Sequence, residues 1–412
     1  MIVLGTAGLM AVGAWAETSG KTALTLTLEA AIERAVSSNF ILRAAERELE
    51  ALRAVTAVAG AANNPEVGFS LEGAERGTTE TADAVKEIGV SQTFSLGKLA
   101  LKRSLARFDY EAAKERLEAL RAEIRRGVKE HYWDAALAED RVIFAKENHR
   151  FQQRFLARIQ DRFQSGQVNA ADVARARLET ERARNDVLLA ERDVKTARAR
   201  LNRLMGEPIG RIVELSEHPE EIQLTLDAVG LAREAATLRS ELREIHSRTQ
   251  GARIARRLAG ADLWRPDLTT NFIWQRGARD DSRPSWGAGA ALQVPLFNQY
   301  GGRRREARAN EQAVEWRRRD VEASIEQDVL EAFWNWELAG QQVRLWRDAL
   351  DQGTEAMRLA EQQYMDGEDD LLVFIAARRE FVAATLEYLA SLRNHHVSLA
   401  LLEQAVARDL TP

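Results

Sequence analysis

No cysteine occurs among the 412 residues, which excludes disulfides, thiolate metal sites, cysteine nucleophiles and lipid attachment through a cysteine of this sequence. Proline is scarce, with 7 residues, and long stretches contain neither proline nor glycine. Ala, Leu, Arg and Glu fill those stretches, a composition that reads as long helices or coiled coil. The six histidines are His131, His149, His218, His246, His395 and His396. None has a second histidine and a carboxylate at metal-ligand spacing, so they read as surface or packing residues, and no metal or cofactor site is expected. A net charge of −5 with both signs interspersed describes neither a polybasic nucleic-acid binder nor an acidic disordered tail. No phosphate-binding loop, nucleophile elbow or zinc-protease motif is present, so the sequence does not read as an enzyme.

Beyond the first 16 residues, no apolar run reaches the ~18 residues of a membrane helix. Residues 2–13 do form a short apolar run, followed by Ala14-Trp15-Ala16 and then Glu17. That pattern predicts a secretory signal over residues 1–16, although no basic residue precedes it; Lys21 is the first.

What the sequence does contain is one unit written twice at a constant offset of 201 residues. Pro65 corresponds to Pro266, Gln92 to Gln293, Tyr132-Trp133 to Phe333-Trp334, Phe163 to Tyr364, Gly166 to Gly367 and Leu201 to Leu402. The period is too long for a solenoid of ~20–50-residue repeats. It implies two copies of a whole assembly, 25–208 and 226–408, joined by a linker over 209–225.

Each copy orders a helix, two strands, a long helix, a tight turn and another long helix. Thr27 is a plausible cap for the first helix, and Asn63-Asn64-Pro65 should end it. Period-two alternation predicts strands at about 66–73 and 87–96. Val67, Phe69 and Leu71 share one face with Ile88, Val90, Phe94 and Leu96. The second copy repeats this at about 267–275 and 286–296. Lys98–Gln164 then reads as a helix of roughly 100 Å at ~1.5 Å per residue, which only coiled-coil packing can stabilise. Its counterpart runs from about Gly301 to Met365. Gly166 and Gly367 end these helices as left-handed caps, so each copy closes in a hairpin tip, near 165–169 and 366–370.

Strands of about ten residues with one apolar face have the length that crosses a bilayer when tilted. Four cannot close a barrel, and an open edge cannot face lipid, so other chains must complete it: two copies give eight strands, three give twelve. Arg303, Arg304 and Arg305 after the fourth strand, and Lys102-Arg103 after the second, suit a membrane–water interface or a solvated helix surface. Trp264 and Trp286 suit an interfacial aromatic belt.

This order resembles the TolC-like outer-membrane channels of tripartite efflux systems. The matching segments are Leu28–Asn39 (LEAAIERAVSSN), Asn64-Pro65-Glu66, Gln92–Lys98 (QTFSLGK), the aromatic-x-x-Gly tips at Phe163/Gly166 and Tyr364/Gly367, and Leu201–Pro208 (LNRLMGEP). The Asn-Pro-Glu and Phe-Ser-Leu-Gly-Lys spellings resemble the heavy-metal cation efflux branch. The resemblance implies a mainly α fold with a small β part: long coiled-coil hairpins in two tandem repeats, four strands per chain entering a trimeric 12-stranded transmembrane β-barrel. It also implies a homotrimer in the outer membrane of a Gram-negative bacterium, in contact with outer-membrane lipid, with a large periplasmic tunnel. A periplasmic adaptor docks at the tips and an inner-membrane pump drives transport. A channel of this kind passively conducts its substrate, here expected to be heavy-metal cations, without cofactor or nucleic acid.

Within that frame, Phe163, Gly166, Tyr364 and Gly367 are candidate adaptor contacts, besides capping their helices. Asp366, Glu368, Asp369 and Asp370, with Asp172 near the first tip, would ring the tunnel mouth in a trimer and concentrate cations; a solvated acidic turn is the alternative. Arg158 and Arg162 are candidate gate partners that would clasp those carboxylates in a closed state. A soluble periplasmic coiled-coil scaffold or adaptor is the competing reading, and the four strands are the feature that discriminates.

Overall fold

The computed structural model describes residues 24–72, 85–276 and 283–411. The expected signal segment 1–16 lies outside them. The elements run β1 (Leu24–Leu26), α1 (Leu28–Ser38), α2 (Phe40–Val58), β2 (Glu66–Glu72), β3 (Val85–Ser95), α3 (Leu99–Gln164), α4 (Ala170–Leu204), β4 (Val213–Leu215), α5 (Ala228–Leu238), α6 (Ser240–Trp264), β5 (Asp267–Arg276), β6 (Ser285–Leu292), α7 (Gly301–Asp366) and α8 (Leu371–Val406). They form two compact units that do not follow the sequence repeats. One comprises Met1–Ser37, Val128–Glu220 and Trp346–Arg393; the other comprises Ser38–Gly127, Glu221–Leu345 and Asn394–Pro412.

In the first unit, β1 pairs in parallel with β4, Leu26 opposite Leu215. Tyr132 is fully buried beneath this pair. Its hydroxyl donates to the Leu26 carbonyl at 3.0 Å and accepts from the Glu217 N–H at 3.3 Å. Burial pushes its phenol up, with the Glu217 charge adding to the effect. Thr27 caps α1 through Ala30 N–H, and Glu217 takes the Leu28 N–H at 3.1 Å. The three-residue strands are too short for an alternating pattern, which is why 209–225 reads as plain linker in the sequence.

The same unit has a titratable strap. Arg393 on α8 binds Asp134 on α3 at 2.6 Å, and His131 Nδ1 lies 3.3 Å from the same carboxylate. Burial pushes the Asp134 carboxyl up, but His131 and Arg393 outweigh it and hold it below the usual range. A depressed carboxylate stabilises the fold above its unfolded value near ~3.9, and that stability disappears as pH falls through the lower folded value. Asp134→Asn is therefore expected to lower the melting temperature at neutral pH, with the gap to the wild type closing in acid. Parallel thermal melts across the acid range check this; a gap independent of pH would remove the strap from the account.

In the second unit, β2, β3, β5 and β6 form one antiparallel sheet in that order. The register places Phe69, Ile88, Trp274 and Trp286 in one row and Val67, Val90, Phe272 and Ala288 in the next. These rows form one apolar face, and most of its large side chains are exposed. The opposite face carries Glu66, Ser91, Asn271 and Gly289 in one row and Ser70, Glu87, Gln275 and Ser285 in another. A shift of one residue would invert both faces, so the apolar pattern and the register specify each other. β6 stops at Leu292, short of the expected 296. Pro295 lacks an N–H and restrains Val294 before it, which ends ladder pairing.

The opening helix is not continuous. It breaks at Asn39, whose buried side chain accepts from Ile41 N–H and Leu42 N–H to cap α2. α2 in turn ends at Val58, before the expected Asn63-Asn64-Pro65. Arg103 lies across Gly60 and donates to its carbonyl at 3.3 Å; a Cβ there would stand 2.5 Å from the Arg103 Nε. The apolar core of this unit gathers Leu231 and Ala235 of α5, Ile325, Val329 and Trp336 of α7, and Leu399 and Leu402 of α8.

Candidate functional site: the hairpin tips

Both tips belong to the first unit and share a core of Phe155, Ile159, Ala176, Ala360, Tyr364, Leu371 and Phe374. Phe155 and Phe374 pack at a tilt with centroids 4.6 Å apart, and Tyr364 lies 5.9 Å from Phe155. Each fully buried ring contributes ~1.5–3 kcal/mol by area, so the tips are held by packing close to the turns themselves.

The two turns are built alike. Gly166 has φ +73 and Gly367 has φ +79. In each, a backbone N–H past the glycine returns to the last helical turn: Gln167 N–H to Arg162 O at 2.9 Å, and Glu368 N–H to Gln363 O at 2.9 Å. This closure satisfies carbonyls at the helix end and requires the left-handed conformation that glycine adopts without strain. A Cβ on either glycine would meet nothing within 4 Å. The turns are therefore open outward.

The paired aromatics are not equivalent. Phe163 is 46% exposed, whereas Tyr364 is 5% exposed and packed inside the tip core. Tyr364 is thus a packing residue rather than an exposed docking contact. The helical phase around it turns its ring toward Phe155 and Phe374.

Asp172 is also reassigned. It forms a reciprocal capping box with Asn169, accepts from Arg175 at 3.2 Å and is 9% exposed, so its charge serves the start of α4. Asp366, Glu368 and Asp370 are exposed, and Asp369 is half-buried. Among the described residues no ion pair joins Arg158 or Arg162 to these four carboxylates. Arg158 binds Glu361 at 3.2 Å. Arg162 donates to the Tyr364 and Met365 carbonyls at 3.3 and 3.4 Å, with its guanidinium 5.4 Å from the Tyr364 ring centroid. Among the described residues the within-chain Arg–Asp clasp is replaced by this contact: the last turn of α7 presents the Tyr364 and Met365 carbonyls, at the negative end of the helix dipole, to Arg162. Sequence reasoning missed this capping role; the i, i+4 spacing of Arg158 and Arg162 was its only trace.

Among the described residues, no group of three or more His, Asp or Glu is placed to hold a metal ion. His395 is buried against Trp336, with its Nε2 3.0 Å from the Ile222 carbonyl. No described helix is long and apolar enough to cross a membrane.

The second unit thus carries a sheet with one apolar face in register, and the first unit carries two glycine-capped helical tips. Residues 31–207 and 231–408 match the outer membrane efflux protein family, and the chain belongs to that family. It is an efflux protein of the outer membrane, which sets aside the soluble scaffold, and the family is one of channels rather than enzymes. The chain is 28% identical over 291 residues to the cobalt-zinc-cadmium resistance protein CzcC of Cupriavidus metallidurans, a match covering 67% of this chain and 65% of that relative. It thus spans just under two thirds of that relative's length. It is 25% identical over 391 residues to the pyoverdine export outer membrane protein OpmQ of Pseudomonas aeruginosa, covering 87% of this chain and 80% of that protein. The fold matches a crystal structure of CusC with a TM-score of 0.79 at 18% identity, covering 95% of each chain.

Proposed function

We propose that three copies of this chain close a 12-stranded barrel in the outer membrane and form a passive conduit for divalent metal cations. Each repeat, 25–208 and 226–408, supplies two strands and one hairpin. A periplasmic adaptor docks on the tips at Phe163, Gly166 and Gly367, and an inner-membrane pump supplies the energy. The observation that carries this reading is the four-stranded sheet. Its apolar rows are exposed, and its outer strands β2 and β6 each have one neighbour among the described residues. Unpaired strand edges do not face lipid, so further copies must pair with them. The metal assignment draws on the likeness to CzcC and on the exposed Asp366, Glu368 and Asp370.

Planar-bilayer conductance of the detergent-purified protein, with oligomer mass from the same sample, tests the conduit. A trimer with cation-selective channels supports it; a water-soluble species without conductance overturns it. Asp366→Asn, Glu368→Gln and Asp370→Asn together should shift the reversal potential in a salt gradient toward zero, because three copies remove nine charges from one mouth. An unchanged reversal potential would leave these residues as a solvated turn.

A further inference from the structure

The strand-to-helix junction of the second unit has a surface that neither its packing nor transport explains. Lys98, 7% exposed, reaches Asp262 at 3.3 Å and Asp267 at 3.2 Å, and Arg303 reaches Asp262 at 3.1 Å. Burial would lower the Lys98 amine, but its hydrogen bonds to Asp267 and Asp262 outweigh that and raise it. Arg265 donates to the Gly97 carbonyl at 3.0 Å. These contacts join the end of β3, the start of β5 and the first turn of α7, and they use up Lys98, Arg265 and Arg303.

Three cations are left over. Lys102, Arg304 and Arg305 are exposed and have no side-chain partner among the described residues. The first turn of α7 contains no acid, and the helix dipole disfavours cations at an N-terminus, so local structure does not account for two adjacent free arginines there. Lys102 lines a cavity of about 520 Å³ with Lys98, Asp262, Asp267, Arg303 and Glu306. The same junction exposes large apolar side chains. Trp264, at the end of α6 just before β5, is 81% exposed, and in the segment between β6 and α7 Leu296 is 70% exposed and Phe297 fully exposed. An apolar sheet face, then aromatic residues, then unpaired cations is the sequence of environments met in passing from acyl chains through the interface to a phosphate layer.

We infer that this junction binds an anionic glycerophospholipid of the periplasmic leaflet. Lys102, Arg304 and Arg305 take the phosphate, and Trp264, Leu296 and Phe297 lie against the acyl chains. The inference rests on the reading of the sheet as part of a membrane barrel. It goes further in naming a charged lipid and the residues that select it. Long basic side chains suit the task, since their stems lie along apolar surface while their heads reach the phosphate plane.

The test uses the full chain reconstituted in phosphatidylethanolamine vesicles containing a minor fraction of phosphatidylglycerol. The protein is then extracted, and native mass spectrometry reads oligomer mass and retained lipid together. The wild-type trimer is expected to retain phosphatidylglycerol over phosphatidylethanolamine. The variant Lys102→Gln, Arg304→Gln, Arg305→Gln should remain a trimer and lose that preference, by on the order of fivefold per cation removed. The variant Arg177→Gln, Arg184→Gln, Arg192→Gln removes as many charges from α4 and should retain it. Equal retention of both lipids by the wild type, an unchanged preference in the junction variant, or an equal loss in the α4 variant each overturns the inference. Absence of any trimer in the wild type overturns the barrel reading and the lipid site with it.

Discussion

In the proposed assembly, a bulky side chain at Gly166 or Gly367 is expected to abolish export while leaving the trimer assembled. Two physical terms separate in this result. Both glycines have positive φ, so any other residue there carries a backbone strain of roughly 1–2 kcal/mol. That is small against a tip core of stacked rings, and no neighbour stands within 4 Å to be displaced. The new side chain therefore projects into the open space where the proposed adaptor docks, and close backbone approach is lost. Gly166→Trp and Gly367→Trp should eliminate the metal resistance that the proposed cation conduit is expected to restore to cells lacking it. Gly166→Ala and Gly367→Ala carry the same strain with little bulk and should retain most of that resistance. Gly210→Trp, at an open position without positive φ, should be silent. Loss of the trimer in the Trp variants would assign these glycines to folding instead.

The largest stability effect is expected at Asn148 and Arg378 in the helical unit. Arg378 on α8 is 7% exposed and has no carboxylate in ion-pair contact among the described residues. Burial brings its guanidinium down to about 10, with only partial relief from the Glu361 charge. Its support is Asn148 Oδ1, which accepts at 2.9 and 3.3 Å, together with Phe151 at 4.0 Å and Phe381 at 5.1 Å from its centre. Asn148→Ala removes the main acceptor of a buried cation and should destabilise the fold by about 3 kcal/mol. Adding Arg378→Met should recover most of that loss, because the orphaned charge disappears and a thioether packs well between rings. Denaturant melts of the two single variants and the double variant give the coupling directly. Additive losses would show that the pair does not act as a unit.

Long elements were legible in the sequence because their signals are redundant. α3 combines apolar steps of three and four, the absence of proline and a glycine stop at Gly166, and it ends where those signals place it. The strands were legible through alternation, since one face meets an apolar medium. Interruptions were harder to see. Asn39 ends one helix and starts another inside an unbroken helical pattern, and only its side-chain cap distinguishes it. The β1–β4 pair spans three residues on each side and depends on Tyr132 far along the chain. At the tips, glycine positions and acidic composition could be read directly. The burial of Tyr364 and the capping by Arg162 could not, because both depend on how one hairpin packs against the other.

The interleaving of the repeats also dictates an order of assembly. Phe155 meets Phe374 only once the second hairpin has been made, and β3 gains its β5 neighbour only once the second repeat has begun. The core around Leu231 and Val329 waits for Leu399, Leu402 and Val406 at the end of the chain. A polypeptide delivered N-terminus first thus completes the tip core only once Phe374 has emerged, and the core around Leu231 only once Val406 has. Half-made chains present ring clusters and strand edges with no mate, the surfaces that drive aggregation. Chaperones that hold the chain until the second repeat is made would suppress that aggregation, since both cores close late in synthesis.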